Sequence, residues 1–262
     1  MSQKNIKIQI RNLSKSFGHK VVLNKLNLDI YEGESLVIIG GSGTGKSVLI
    51  KCILGLIQPD SGEILIDGKN IVGESVREQT KRLYNVSTVF QGSALFDSLK
   101  VWENVAFGLI NAKGMSRKDA QAIALENLAS VGLDAGVGEL FPSEISGGMQ
   151  RRVALARAIA TAPSLIFFDE PTAGLDPIFC GIINDIISKN VKDLKATAVT
   201  ITHDMASARH VADRIAMIHE GHIIWSGPAS GIDHSGNPYV EQFVTGSPKG
   251  PIHLETIHKE AA

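Results

Sequence analysis

Cysteine is scarce: only Cys52 and Cys180 occur among 262 residues. They sit far apart in helix-like contexts without metal-ligand spacing, which argues against a disulfide framework and predicts two buried, reduced thiols. No apolar run approaches the roughly 18–20 residues that span a bilayer. Met1 to Arg11 is polar and alternating, without the apolar centre of a signal peptide. The expected location is therefore the cytosol, with any membrane role carried by a partner. Neither sign of charge is in excess: 26 Lys and Arg against 27 Asp and Glu leave a formal net charge of −1. These charges are interleaved, so no strong field draws the chain to nucleic acid or anionic lipid. Internal repeats, low-complexity tracts and heptad runs are also missing.

What is present is apolar patterning of two kinds. Ile6, Ile8 and Ile10 alternate with polar residues, as do Leu26, Leu28 and Ile30, which predicts half-buried strands. Ser35–Ile39 is uninterrupted and suits a strand buried on both faces of a parallel sheet. Ser61–Gly62 opens another alternating segment, with Ile64 and Ile66 on one face and a turn at Asp67–Gly68. From about Phe90 to Pro163 the pattern is mostly helical. Ser116 caps a helix carrying Ala120, Ile123, Ala124, Leu128 and Val131 at helical spacing, and Gly132 ends it. Beyond Pro163 the sheet pattern returns in Leu165–Phe168 and Thr197–Thr202, and Glu220–Gly221 reads as a hairpin turn. After about Gly231 the chain is turn-rich and reads as an extension.

Gly40, Gly41, Ser42, Gly43, Thr44, Gly45, Lys46 and Ser47 fit the phosphate-binding loop pattern in full, between a buried strand and a helix expected over Val48–Leu56. The glycines let backbone N–H groups converge on a phosphate, and the helix start adds its dipole. Lys46 is placed to reach the β- and γ-phosphates of a nucleotide, and the Ser47 hydroxyl to ligate Mg²⁺. Leu165–Phe168 runs into Asp169 and Glu170, at the strand end where open α/β sheets bind ligands. Two acids there also serve as helix caps. Beside a phosphate loop, Asp169 is expected to hold Mg²⁺ and Glu170 to act as general base toward the attacking water. Ser146, Gly147 and Gly148 start a second helix with free N–H groups. One nucleotide needs two such starts only when a second copy of the chain supplies the other.

Taken together, the Gly40–Ser47 loop, Ser146-Gly-Gly-Met-Gln150 and Asp169–Glu170 resemble an ABC ATPase across nearly the whole chain. The resemblance implies an α/β fold: an ABC-type P-loop NTPase with a mainly parallel core sheet, an N-terminal antiparallel β-subdomain and an inserted α-helical subdomain. It implies a RecA-like ATP-binding core over 1–89 and 164–231, a helical signature subdomain over 90–163 and a C-terminal extension over 232–262. ATP and Mg²⁺ are the implied cofactors. Gln91 matches the residue that touches Mg²⁺ and senses the membrane subunit, and Asp176 matches the loop that crosses the dimer interface. His203 matches the histidine that contacts the γ-phosphate, and Phe17 stands where the family stacks an aromatic ring on adenine. Two departures concern the interface: Met149 where many relatives carry glutamine, and Ala173-Gly-Leu-Asp176 in place of Ser-Ala-Leu-Asp.

Phe90-Gln-Gly-Ser-Ala-Leu-Phe96 and the tail segment Pro238–Phe243 with Lys249–Ile252 are similar to ATPases serving MCE-type (Mla or Mkl) lipid transporters. That resemblance implies a homodimer with ATP at its interface, on the cytoplasmic face of the inner membrane. Its implied partners are integral-membrane permease subunits, gripped at Ala94, Leu95 and Phe96, an MCE-domain lipid-binding protein and a STAS-domain accessory protein, and no nucleic acid. The competing class is a soluble ABC ATPase acting on DNA or ribosomes. Such proteins carry coiled-coil insertions or two fused ATPase halves, whereas this chain has a single motif set. Tyr239, Val240, Phe243 and Ile252 are too apolar for a solvated end, and the tail is expected to pack onto the second subunit.

Overall fold

The structure, a computed structural model, describes residues 5–252. Two long strands open the chain, β1 (Ile6–Phe17) and β2 (Lys20–Tyr31), followed by β3 (Ser35–Ile39), α1 (Lys46–Leu54), β4 (Ser61–Ile66) and β5 (Lys69–Asn70). Strands β2-β1-β4-β5 form an antiparallel sheet. The turn between β4 and β5 has Asp67 and Gly68 both in the left-handed region, which a tight two-residue hairpin requires. Ile8, Ile10, Ile64 and Ile66 turn inward as their alternation predicts, while Ile6 at the strand start is exposed. Helix α2 (Val76–Leu83) buries none of its residues and starts in a capping box between Ser75 and Glu78.

β6 (Val86–Val89) enters a second sheet, of order β10-β9-β3-β8-β7-β6. Its other members are β7 (Leu165–Asp169), β8 (Thr197–Ile201), β9 (Arg214–His219) and β10 (His222–Pro228). All neighbours pair in parallel except β9 with β10, joined at Glu220–Gly221. The continuous apolar runs have a clear consequence here. Leu36, Ile38, Leu165 and Phe167 face a core shared with α1 and the antiparallel sheet. Val37, Ile39, Ile166 and Phe168 face the opposite core, shared with the helices. Alternate residues along each strand thus line different cores, so both faces are mainly apolar.

The helical segment comprises α3 (Val101–Asn111), α4 (Arg117–Ser130) and α5 (Gly147–Ala160). Ser116 caps α4 by accepting from the Asp119 N–H, and Gly132 follows its end with φ +72°. This segment has no core of its own: Trp102, Val105 and Leu128 are continuous with Ile166 and Phe168 of the sheet. Helix α6 (Pro177–Leu194) and helix α7 (Met205–Val211) complete that side.

The tail departs from expectation. Helix α8 (Pro238–Thr245) folds back on its own chain: Val240 is fully buried, and Phe243, Val244 and Ile252 pack against the same core. The Tyr239 ring lies 4.9 Å from the His219 ring, and Asn237 Nδ2 donates to the Ile224 carbonyl. These side chains pack first against the chain's own core, with Val240 fully buried and Tyr239, Phe243 and Ile252 partly so; the remainder of the extension, 253–262, lies outside the described residues. Two smaller corrections follow. Helix α1 starts at Lys46, two residues before expected, because Gly45 already serves as its N-cap. Cys52 is buried, its thiol pushed up to about 11 by that burial, but Cys180 is only half-buried.

Candidate active site

Parallel register gathers the predicted residues at one edge of the larger sheet. Ile38 of β3 and Asp169 of β7 both align with Ile201 of β8, and Val89 of β6 aligns with Phe168. One or two residues further along each strand stand Gly40, Gln91, Glu170 and His203. Four loops therefore leave the sheet side by side, at the carboxyl ends of its strands.

The Gly40–Ser47 loop wraps the start of α1. Lys46 Nζ donates to the carbonyls of Gly40 at 2.7 Å and Gly41 at 2.8 Å, and Thr44 Oγ1 donates to Gly41 O. Burial lowers the Lys46 pKa, and the charges of Glu170 and Asp169 oppose that shift. Gly40 and Gly45 are sterically obligatory. A Cβ on Gly40 would lie 2.4 Å from the Ile218 carbonyl, and one on Gly45 2.8 Å from that of Val22. Gly45 caps α1 without a side chain, so the N–H groups of its first turn remain available to an anion. Beside the loop lies a cleft of about 280 Å³, with Phe17, Lys20 and Val22 on one wall and Gly43 to Val48 along the floor. The half-exposed Phe17 ring carries Lys15 Nζ 5.5 Å from its centroid. Ser42, Gly43 and Ser47 are exposed, and the last two line the cleft.

Asp169 and Glu170 take different surroundings. Burial raises the Asp169 pKa, the neighbouring Glu170 charge adds to it, and Lys51 and Lys46 counteract both. Glu170 has φ +50°, and its N–H donates to Ile201 O at 2.9 Å, anchoring this left-handed residue to β8. His203 Nδ1 lies 2.9 Å from Glu170 Oε1, and Thr202 Oγ1 donates to Glu170 Oε2 at 3.3 Å. The carboxylate is mostly buried while the His203 ring is open to solvent. Asp204 caps α7 through the N–H groups of Ala206 and Ser207, which fixes the loop presenting His203. Gln91 is exposed just beyond β6.

Ser146, Gly147, Gly148 and Asp176 are not part of this cluster. Ser146 is exposed and caps α5 by accepting from the Met149 N–H. Gly148 backs onto Phe179 of α6, where an added Cβ would lie 3.4 Å from the ring. Asp176 is exposed and caps α6 through Ile178 and Phe179 N–H. Among the described residues no hydrogen bond joins these groups to the Gly40–Ser47 loop. Met149 turns its side chain against the helical core. Sequence reasoning missed Thr202, although it directly precedes His203, and also Arg151, Arg157 and Asn104, which lie in plain helical pattern.

Comparison with known proteins gives a consistent answer. Residues 23–173 match the family model described as ABC transporter. The Arabidopsis thaliana protein TRIGALACTOSYLDIACYLGLYCEROL 3, chloroplastic, is 41% identical over 94% of this chain and 75% of its own length. The intermembrane phospholipid transport system ATP-binding protein MlaF of Escherichia coli is 38% identical over 94% of this chain and 91% of its own. The probable ribonucleotide transport ATP-binding protein mkl of Mycobacterium tuberculosis is 38% identical over 98% and 71%. Among solved structures, a dimeric post-hydrolysis state of the ATP-binding cassette MJ0796 bound to ADP and Pi superimposes with a TM-score of 0.77 at 33% identity. It covers 85% of this chain and 98% of that one.

Proposed function

The chain belongs to the ABC transporter family, and from that premise we propose that this ATPase drives phospholipid movement through a separate membrane permease. The observation that carries the chemistry is the Glu170–His203 contact of 2.9 Å, in the same row of strand ends as the Gly40–Ser47 loop. Lys46 exchanges its two backbone carbonyls for β- and γ-phosphate oxygens, and Phe17 receives adenine at the cleft wall. Glu170 accepts the proton of the attacking water, and His203, exposed beside it, contacts the γ-phosphate.

The residues present suit Mg²⁺. Ser47, Gln91 and Asp169 offer hard oxygen donors, and the raised Asp169 pKa marks a carboxylate that a nearby cation would stabilise in its charged form. Among the described residues no cluster of three His, Cys, Asp or Glu forms a complete metal cage. Mg²⁺ commonly takes only one or two carboxylates, here Asp169, and completes its shell with other oxygens, phosphate and water. Bound there, Mg²⁺ would neutralise charge on the transferred phosphate.

Ser146, Gly147 and Asp176 are exposed and make no hydrogen bond to the Gly40–Ser47 loop among the described residues, which supports a homodimer in which each chain completes the other's ATP site. The dimeric state of MJ0796 supports the same reading. No described helix is long and apolar enough to cross a membrane. The ATPase would then sit on the cytoplasmic membrane face, with Ala94, Leu95 and Phe96 against the permease. An MCE-domain lipid-binding protein and a STAS-domain accessory protein complete the proposed assembly. Phospholipid as cargo rests on the likeness to MlaF, whereas the name of the mycobacterial relative points to ribonucleotides. Purifying the membrane complex and identifying its bound small molecules separates the two: nucleotides without lipid enrichment would sink the lipid reading. For the chemistry, Glu170→Gln keeps size but cannot take a proton. It should retain ATP and accumulate as a dimer, with hydrolysis lowered ~10²–10⁴-fold. A variant that hydrolyses ATP at the normal rate would remove Glu170 as base.

A further inference from the structure

The segment after Gln91 is fastened to the helices and not to the sheet it leaves. Arg157 of α5 donates from Nη2 to Ser93 O at 3.0 Å and from Nη1 to Ala94 O at 2.8 Å. Ala94 has φ +47°, a conformation that a residue with a Cβ adopts only when its surroundings impose it. Just beyond, fully buried Asn104 of α3 donates to the carbonyls of Phe96, Leu99 and Lys100 and accepts from the Phe96 N–H. Residues 93–100 are thus pinned at both ends. Gly92 lies between them and Gln91, and a Cβ added there would meet nothing within 4 Å.

The use of arginine at 157 is unusual in energetic terms. Burial lowers its pKa, and no acidic residue counters that shift. A half-buried guanidinium without a carboxylate is costly, and here its two terminal nitrogens are satisfied by backbone carbonyls. Its planar fork suits two successive carbonyls, which a lysine could not match. Six residues earlier on α5, Arg151 makes a similar pair of bonds, to Pro171 O and Ala173 O in the stretch between Glu170 and Asp176. A gap of about 10 Å³ lies beside Arg151, Ser93 and Pro171. Hydrogen bonds thus tie both loops to α5.

We propose that Arg157 is a positioning residue for hydrolysis, holding the Ser93–Ala94 turn so that Gln91 keeps its place at the sheet edge beside Glu170. Together with Arg151 it makes α5, whose first turn is Gly147–Gln150, the element to which both active-site loops are tied. The proposal rests on the reading of Gln91 and Glu170 as active-site residues.

The test uses the full chain with Arg157→Met, Gln91→Ala and the double variant. Arg157→Met should lower kcat ~10–100-fold while KM for ATP changes less than about twofold, since the Phe17–Ser47 cleft is untouched. In the Gln91→Ala background it should cause no further loss. Amide exchange at Gly92–Leu95 should quicken by ~10-fold or more, with Gly43–Val48 unaltered. Arg157→Lys, which keeps the charge and one bond, should recover part of the rate; it also carries the same measurements if the methionine variant does not fold. Losses that multiply in the double variant, or unchanged exchange at Gly92–Leu95, would overturn the proposal. Wild-type turnover in Gln91→Ala alone would instead remove the reading on which it rests, and the proposal with it.

Discussion

The loop before α1 and the turn before α5 are both glycine-rich helix starts, yet the fold places them in opposite circumstances. Gly45 leaves the first N–H groups of α1 free beside Asp169, Glu170 and a cleft of about 280 Å³. Ser146 occupies one N–H of α5 with its own side chain, and Gly147 faces solvent. The local chemistry is much the same. What differs is whether the chain's own strands bring carboxylates to meet it. A helix start held rigidly from behind, by Phe179 and by the two arginines of α5, but open in front, is half of a site.

Complementation breaks or sharpens this comparison most directly. Lys46→Ala should abolish hydrolysis and greatly weaken ATP binding. Ser146→Arg should abolish hydrolysis while its own Gly40–Ser47 loop still binds ATP. Mixed in equal amounts, the two dead chains should recover ~25% of wild-type turnover, because half the dimers are mixed and each of these holds one intact composite site. No recovery, with mixed dimers demonstrated by pull-down, would mean that each chain works alone.

A second contrast sets the open face of α5 against the tail, which the chain closes upon itself. Val240→Ala should destabilise the isolated chain by ~1–3 kcal/mol, through lost burial and the cavity left behind. Removal of everything after Gly236 should cost more, since it also takes away the packing of Phe243, Val244 and Ile252 on the core. Denaturant unfolding of the monomer measures both. Stability equal to that of the full chain would show that α8 is not part of this core and would return the whole tail to an intersubunit role.

The smallest effect concerns Asp169. Its folded-state pKa is raised, so the native chain binds more protons than the unfolded one across the window just above the ordinary aspartate value. Stability of the nucleotide-free chain therefore falls as pH rises through that window. Asp169→Asn should remove this dependence and raise Tm slightly near pH 7, as thermal unfolding of the nucleotide-free chain across pH would show. The same variant should lose Mg²⁺-dependent hydrolysis. A lowered Tm would mean that the carboxylate stabilises the empty site and is no strained ligand.

Much of the site was legible because its signals are local. A phosphate loop declares itself by glycines at positions where a Cβ would strike Ile218 or Val22, and those contacts forbid substitution. Asp169–Glu170 could be read because an apolar run ends there abruptly. Thr202, Asn104 and Arg157 were not legible, since each works through backbone carbonyls or a carboxylate far off in the chain, which no periodicity records. The tail misled for a related reason. Val240 and Phe243 announce burial, but apolar periodicity does not say in which chain the covering surface lies.

By itself the sequence determined most of the strands, the helices that follow Gly45, Ser116 and Ser146, and the glycine loop between β3 and α1, because turn glycines, alternation and uninterrupted apolar runs act within a few residues; helices α2, α6, α7 and α8 were not read from it. Only the tertiary structure decided that Glu170 meets His203, that Ser146 makes no hydrogen bond to the Gly40–Ser47 loop of its own chain, and that the tail packs on the core it grew from. Those outcomes depend on the order of parallel strands and on which surfaces remain after packing. Both are set by contacts between residues more than a hundred positions apart, such as Leu36 beside Val199.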